Sequence, residues 1–308
     1  GRVDEYENFI RNLDFVNVSD EEIENAMYAS AEQLYLTNNL QKATESFKKY
    51  LDRFPNGFNA LNANFYLADA FDRTDQKEKS IQYYQFVLEK DKNVYTERSQ
   101  VKVAQYYLEQ EDWETAMKLL SKLEEGAETD QNQIFAQSNL MKGNYALQNF
   151  ELAVEYAEKV LDYPKLDKKV LSDAQVIIAR SAFETGDLMK ARDAFELVEA
   201  SSTGELKAEA TYYDAYFKHD DGNYKLSNVS VQKLASEFST YKYWGGKGLI
   251  IMAKNFYELE DAYQATYILE SVIEKFADYK DITEEARSEL SKIKTAEAKT
   301  NSSVIINK

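Results

Sequence analysis

The sequence predicts an all-α fold in which helix pairs stack side by side as a solenoid. A small or polar residue recurs every 36 to 38 residues, with apolar or small residues four and seven positions later. A fixed period of roughly 20–50 residues is typical of stacked units that share one continuous core. The chain contains only 10 Gly and 2 Pro, and it lacks alternating β-branched runs bounded by turn residues. The seven recurring residues are Ala43, Ser80, Ala116, Ala153, Ala191, Ser227 and Ala265.

Apolar spacing and capping residues predict the helices in order along the chain. Residues 4–14 are expected to form a short leading helix with its large apolar residues on one face. Ser19 and Glu22 form a capping-box pattern that marks the start of the first pair. Pro55 and Pro164 close pairs one and four, because proline blocks helix continuation. The seven predicted pairs are 20–37 with 40–54, 58–73 with 76–90, 94–110 with 112–125, 131–147 with 150–162, 167–185 with 187–200, 204–219 with 222–238, and 245–259 with 261–277.

The last helix and the links complete the predicted architecture. Short polar links make the two helices of each pair antiparallel. The last helix starts with a box-like cap at 281–284 and keeps one side polar, as a terminal element requires. The residues that follow it are expected to fray. The predicted domain is a single solenoid over 1–308, with a leading helix and loop at 1–19, helix pairs at 20–277, a capping helix at 281–298 and a tail at 299–308.

Charge and cysteine content limit the classes of function. The 54 acidic residues outnumber 37 Lys and Arg, and the formal net charge is −17. This field repels phosphate backbones and anionic membranes, so nucleic acid is not an expected partner. The chain has no cysteine, which excludes disulfides and thiolate metal sites. The longest apolar runs, such as 249–252, are far shorter than the roughly 20 residues of a membrane span. Because the chain begins with Gly1, we expect a processed protein or an excised piece.

Few residues could support catalysis or bind a metal. His219 is the only histidine of the sequence, so neither a histidine relay nor a histidine-rich metal site can form. We expect His219 at the surface near a helix end. The acidic turn at 220–223 lacks the spacing of a calcium loop, and 244–248 lacks the full spacing of a phosphate-binding loop. The glycines of 244–248 are expected to form a flexible lead-in to the next helix. We therefore expect no enzyme, no catalytic residue, no cofactor and no metal.

The residues around the recurring positions resemble the tetratricopeptide repeat (TPR) family over about residues 20–290. This resemblance implies a right-handed αα superhelix of about seven helix pairs with short end helices. The chain departs from the family because its period exceeds about 34 residues, alanine replaces the usual glycine in most repeats, and pair six is degenerate. The matching patterns include Ala43–Phe47–Tyr50–Pro55, Ala116–Leu120–Leu123, Ala191–Phe195–Val198, Ala265–Leu269–Val272, Leu67–Ala68–Phe71 and Met252–Ala253–Phe256.

A narrower resemblance concerns location. Residues 47–57, followed by Ala60 and Leu67, resemble the envelope-associated branch of the TPR family in Gram-negative bacteria. That branch includes outer-membrane assembly lipoproteins and the Tol–Pal-associated periplasmic protein. Residues 276–279 with Glu285 repeat the pattern near the end of the chain. The resemblance implies a periplasmic or cell-envelope location in a Gram-negative bacterium, and the cytoplasm is the alternative.

The TPR resemblance also implies a binding groove, because particular first-helix positions line the concave surface in this family. Tyrosine and phenylalanine with interspersed charge are typical of interface cores, so the expected ligand is an extended or helical peptide of mixed charge. The groove is expected to be acidic near its start and to carry its cations later, where Arg180 and Lys254 supply positive charge. The alternative is that these aromatic residues only pack between repeats. Tyr28 and Glu32 stand where a chaperone-tail clamp needs Lys and Asn, which disfavours that activity. The candidate groove residues are Tyr28, Glu32, Tyr35, Phe65, Asp69, Asp72, Lys142, Tyr145, Arg180, Phe183, Tyr212, Tyr216, His219, Lys254 and Tyr257.

Two functional hypotheses follow. The first is a non-catalytic scaffold that binds a protein or peptide segment in this groove, within cell-envelope assembly. The second is a self-associating solenoid module of a larger regulatory protein, for which a homodimer is expected. A stable homodimer at low micromolar concentration would favour the second hypothesis.

Overall fold

The computed structural model describes residues 19–306, with side chains through residue 299. The predicted all-α fold is confirmed: the described residues form fifteen α-helices and no strand. None of these helices is both long enough and apolar enough to span a bilayer. The helices are α1 (Asp20–Leu36), α2 (Leu40–Arg53), α3 (Ala60–Arg73), α4 (Lys77–Leu88), α5 (Thr96–Glu109), α6 (Trp113–Gly126), α7 (Asp130–Ala146), α8 (Phe150–Leu161), α9 (Lys168–Glu184), α10 (Leu188–Ser201), α11 (Gly204–Asp220), α12 (Tyr224–Glu237), α13 (Lys242–Glu258), α14 (Ala262–Lys275) and α15 (Lys280–Ile306).

The chain divides into two compact units, Gly1–Leu147 and Gln148–Lys308. In unit 1, α1 to α7 pack successively, each helix against the next. In unit 2, helices α9 to α15 pack in the same successive order, and α8 packs against α9. We call α1, α3, α5, α7, α9, α11 and α13 first helices, and α2, α4, α6, α8, α10, α12 and α14 second helices.

The links between first and second helices share one backbone feature. At each link one residue adopts a positive φ, from 56° at Asp75 to 81° at Gly186. Five of these seven residues are not glycine, and short polar side chains such as that of Asn38 tolerate this conformation better than branched ones. The first helix begins with the predicted capping box: the Glu22 amide donates to Ser19 Oγ at 3.2 Å, and the Ser19 amide donates to Glu22 Oε2 at 2.9 Å.

The predicted repeat register agrees with the observed core. All seven recurring residues are buried, including Ser227 of the degenerate pair six. The residues four and seven positions later are also buried, as with Phe195 and Val198 after Ala191. Small residues therefore lie where helices approach closely, and larger residues fill the remaining space.

Replacing Ala191 with leucine is expected to destabilise the protein by about 1–3 kcal/mol, because its fully buried site has no room for three more carbons. Urea denaturation followed by circular dichroism measures the change in the free energy of unfolding. Glu196→Leu, at an exposed position on the same helix, is the control and should change stability by less than about 0.5 kcal/mol. Equal midpoints for Ala191→Leu and the parent would contradict the register.

Two expectations about helix boundaries are wrong, and one lies outside the described residues. The glycines at 245, 246 and 248 lie inside α13, which begins at Lys242, and do not form a flexible lead-in. Gly246 and Gly248 are buried where neighbouring side chains approach the backbone closely. The final helix continues to Ile306, past the predicted end at 298, because no Gly or Pro follows to stop it. The predicted leading helix at 4–14 falls outside the described residues.

Candidate protein-binding surface

The fifteen predicted groove residues lie on first helices, eight in unit 1 and seven in unit 2. In unit 1, side chains on α1, α3 and α5 are linked through a buried carboxylate. Asp69 of α3 is only 1% exposed and accepts a hydrogen bond from Tyr35 Oη of α1 at 2.5 Å. Arg98 of α5 forms an ion pair with the same carboxylate. One turn further along the same two helices, Lys102 Nζ lies 2.7 Å from Asp72 Oδ2.

Tyrosine hydroxyls donate to carboxylates at the start of unit 1. Tyr28 Oη donates to Glu32 Oε1 at 2.7 Å, and Tyr50 Oη donates to Glu24 Oε1 at 2.8 Å. Burial, reinforced by the neighbouring carboxylates, raises the pKa of Tyr28 and raises the pKa of Tyr35 to about 12. These phenols therefore stay protonated even near pH 10, where a free tyrosine is about half ionised, and act as hydrogen-bond donors.

Several predicted groove residues of unit 1 lie in the core. Phe65 is buried and stacks on Tyr95 with ring centroids 4.1 Å apart. Tyr28 is also buried, and its ring meets that of Tyr50 edge-on at 5.9 Å. For Tyr28 and Phe65 the structure therefore agrees with the packing alternative, whereas Asp69 is a buried carboxylate that joins three helices. The remaining unit 1 candidates are half-buried: Glu32, Tyr35, Asp72, Lys142 and Tyr145.

Unit 2 repeats the buried-carboxylate arrangement with different residues. Glu209 of α11 is 1% exposed and receives two hydrogen bonds from Arg180 of α9, at 2.7 Å from Nε and 2.6 Å from Nη2. This bidentate geometry is the strong form of an Arg–carboxylate pair. The positive charge that we expected Arg180 to offer to a ligand is therefore engaged within the protein.

A half-buried aromatic cluster lies on the first helices beside this pair. The rings of Phe183 and Tyr216 lie 5.2 Å apart, and those of Phe183 and Tyr213 lie 4.9 Å apart. Tyr213 stacks on the buried ring of Phe195 at 3.8 Å, which supports the cluster from below. Phe183, Tyr213 and Tyr216 all remain partly accessible. We call these three residues the aromatic cluster.

Tyr212, which we expected in the groove, lies in the core beside this cluster. Its side chain is 9% exposed, and its ring lies 5.4 Å from that of Trp244. A one-residue step along a helix turns a side chain by about 100°, so Tyr212 is buried whereas its neighbour Tyr213 remains partly accessible.

His219 takes part in a polar network that the sequence did not predict. Its Nδ1 lies 2.7 Å from Oδ1 of Asn255, a fully buried residue of α13. The Asn255 amide donates to Ser227 Oγ and to Asn228 Oδ1, both at 2.8 Å, so its oxygen is the acceptor for His219. Ser227 Oγ donates to the carbonyl of Ala215 at 2.7 Å. The polar residues of pair six thus join α11, α12 and α13. In the sequence, the only indication is that Asn255 closely follows the apolar run 249–253.

Carboxylates surround Lys254, the second cation that we expected to act on a ligand. Its Nζ lies 3.7 Å from both Glu285 Oε1 and Glu289 Oε1, and Lys247 Nζ lies 2.6 Å from Glu285 Oε2. Tyr257 is half-buried on the same helix. Across the described residues, no group of three or more His, Asp or Glu is placed to hold a metal ion. On the first helices of unit 2, the accessible groups are therefore aromatic rings and charges that are paired with opposite charges. Such groups suit non-covalent binding.

Comparisons with known proteins give a family match for one segment of the chain. Residues 25–57 match the family model of the tetratricopeptide repeat. The TPR-like fold is similar to the C-terminal part of a TPR repeat-containing protein from Cytophaga hutchinsonii, at 16% identity and a TM-score of 0.55, covering 84% of this chain and 98% of that chain. It is also similar to a tetratricopeptide repeat protein from Parabacteroides merdae, at 13% identity and a TM-score of 0.44, covering 86% of this chain and 98% of that chain. Curated protein sequences give no match.

The Cytophaga similarity shows the fold alone, at this level of identity. TPR-like folds commonly mediate protein–protein interaction, because stacked helix pairs present extended surfaces. Within the TPR match, Ala43 and Phe47 are fully buried, which agrees with the register inferred from the sequence.

Proposed function

We propose that this protein is a non-catalytic scaffold that binds a peptide or protein segment on the first-helix face of unit 2. The observation that carries the proposal is the aromatic cluster of Phe183, Tyr213 and Tyr216. Aromatic side chains that remain partly accessible on a rigid support are typical centres of protein interfaces. Phe195 supplies that support beneath Tyr213.

The surroundings of the cluster indicate which partner chemistry fits. The three rings offer an apolar contact for a large side chain of the partner, such as leucine or an aromatic residue. Tyr hydroxyls at the rim can exchange hydrogen bonds with a peptide backbone. Lys247, Lys254 and Lys292 balance Glu285 and Glu289, so these charges near α13 favour neither sign in the partner.

Replacing Tyr216 with alanine is expected to weaken partner binding at least about tenfold, which corresponds to about 1.4 kcal/mol. The half-buried ring would be lost from the centre of the contact, whereas the supporting core would remain. The partner would be captured from the envelope and cytosolic fractions of the source bacterium, purified, and titrated against parent and variant by calorimetry.

Two further variants make this test specific. Lys254→Ala should weaken binding less than Tyr216→Ala, and mainly at low salt, since rim charges act chiefly on association rate. Leu197→Ala removes an exposed leucine from the second helix α10 and should leave the affinity unchanged. If Tyr216→Ala binds like the parent while Leu197→Ala abolishes capture, the first-helix face is not the binding surface.

For location we propose the cell envelope of a Gram-negative bacterium, with a role in envelope assembly. The support is the resemblance of residues 47–57 and 276–279 to envelope-associated TPR proteins. Fractionation of the source bacterium with an antibody against this chain tests the proposal. Recovery of the protein only in the cytosol would favour the cytoplasmic alternative.

A further inference from the structure

The second helices of unit 2 carry exposed apolar side chains at repeated positions. Four of them follow one another at intervals of 37 residues, each in the first turn of its helix, on α8, α10, α12 and α14. Two more lie one turn further along α12 and α14. The exposed fractions of these six side chains range from 47% to 76%. The six residues, which we call the apolar row, are Leu152, Met189, Leu226, Val229, Tyr263 and Tyr267.

The fold does not require apolar residues at these positions. Continuing the same 37-residue interval back into unit 1 leads to Thr115, Glu78 and Gln41, which are all polar. These three residues lie on the second helices α6, α4 and α2, which pack in the same manner. The apolar row is therefore a property of unit 2 and is not a consequence of the repeat.

The extent of the row is comparable to that of an interaction surface. Six side chains that are each about half exposed or more present on the order of 600 Å² of apolar surface. The largest apolar patch of a typical monomer is about 300–600 Å², and one partner of a stable complex contributes about 800 Å². With a polar rim, the row is large enough to form the centre of a dimer interface.

We propose that the apolar row is a self-association surface that pairs with the apolar row of a second copy of this chain. The row runs across four helices, so its spacing is the distance between neighbouring second helices. A second copy has the same spacing, whereas a single partner helix repeats its side chains along its own axis every 5.4 Å. Two identical rows can therefore interdigitate in an isologous contact. Met189 and Tyr263 lie 37 residues before and after Leu226, so a two-fold axis near Leu226 would bring Met189 of one copy to Tyr263 of the other. Methionine–aromatic contacts of this kind are favourable.

The net charge of −17 opposes association only weakly at physiological salt. Charges further apart than about 8 Å are largely screened at 0.15 M ionic strength. Self-association should consequently strengthen as the salt concentration rises from low values, in contrast to an interface held by ion pairs.

Sedimentation velocity on the full chain between 1 and 100 µM tests the proposal. We expect a monomer–dimer equilibrium, and we expect Leu226→Ser with Tyr263→Ser to weaken it at least tenfold. Both side chains are exposed, so folding should be retained, which circular dichroism checks. The matched control is Gln41→Ser with Thr115→Ser at the equivalent positions of unit 1, which should dimerise like the parent. Tyr216→Ala should also dimerise like the parent, which separates this surface from the proposed peptide site.

A cysteine cross-link provides an independent measurement, because the chain contains no cysteine. Under copper-catalysed air oxidation, Val229→Cys should give a covalent dimer in much higher yield than Gln41→Cys. A monomer at 100 µM, or a dimer that Leu226→Ser with Tyr263→Ser does not weaken, would overturn the proposal. Equal cross-linking of the two cysteine variants would do the same.

Discussion

Replacing Arg180 with alanine is expected to destabilise unit 2 by about 3 kcal/mol, because the Glu209 carboxylate would remain buried without its partner. Glu209 is 1% exposed, and both of its oxygens accept hydrogen bonds from Arg180. Urea denaturation measures the loss of stability in unit 2 when it is followed by the fluorescence of Trp244. A Trp113→Phe background removes the other tryptophan of the chain.

Two controls distinguish the cost of leaving a buried carboxylate unpaired from the cost of losing the ion pair itself. Arg180→Ala combined with Glu209→Gln removes the unpaired charge, so it should recover most of the lost stability. Arg192 makes an equivalent bidentate pair with Asp221, at 2.6 and 2.8 Å, but at the surface. Arg192→Ala should therefore cause a much smaller loss, since solvent screens exposed pairs. Equal losses for Arg180→Ala and Arg192→Ala would contradict the role that we assign to burial.

Replacing Gly246 with leucine is expected to destabilise the protein by about 2–3 kcal/mol, whereas Gly245→Ala should stabilise it by up to about 1 kcal/mol. A Cβ at Gly246 would lie 2.8 Å from Cδ1 of Phe276 and 3.0 Å from Cδ1 of Ile282. A Cβ at Gly245 would meet nothing within 4 Å. Leucine at 246 would thus push α14 and α15 away from α13, whereas alanine at 245 would improve helix propensity alone.

Chemical denaturation measures whether the two glycine substitutions change the free energy of unfolding in opposite directions. If 244–248 were a flexible segment, Gly246→Leu would have little effect and Gly245→Ala would gain nothing from helix propensity. Stabilisation by both substitutions would also contradict the close approach at Gly246. The pair of variants therefore tests the position of α13 and the packing of its first turn together.

The sequence allowed the helices of the seven pairs to be predicted within a few residues. The clearest case is pair five, predicted at 167–185 and 187–200 and observed at Lys168–Glu184 and Leu188–Ser201. Local apolar spacing determines which residues of a helix face the core, so Ala191, Phe195 and Val198 could be assigned before the structure was known. The glycine-rich start of α13 was mispredicted, because sequence alone does not distinguish a flexible glycine from one at a close helix contact.

The candidate surface was predicted less completely. The sequence placed Phe183 and Tyr216 on neighbouring first helices, and the structure brings their rings together. It also suggested that Arg180 and Lys254 would offer positive charge, whereas Arg180 pairs with a carboxylate of α11 and Lys254 lies beside carboxylates of α15. Glu209, Asn255 and Tyr213 did not stand out, because each needs a partner in another repeat to acquire its role.

By itself, the sequence determined the fold class, the repeat register and the identity of the core positions, since these follow from spacing within single helices. Only the tertiary structure decided which charged and polar side chains meet. The pairs Tyr35–Asp69, Arg180–Glu209 and His219–Asn255 join residues 29 to 36 positions apart. Such pairs depend on the angle and offset at which neighbouring helices pack. A shift of one residue along a helix turns a side chain by about 100° and breaks the contact, although the apolar pattern is unchanged.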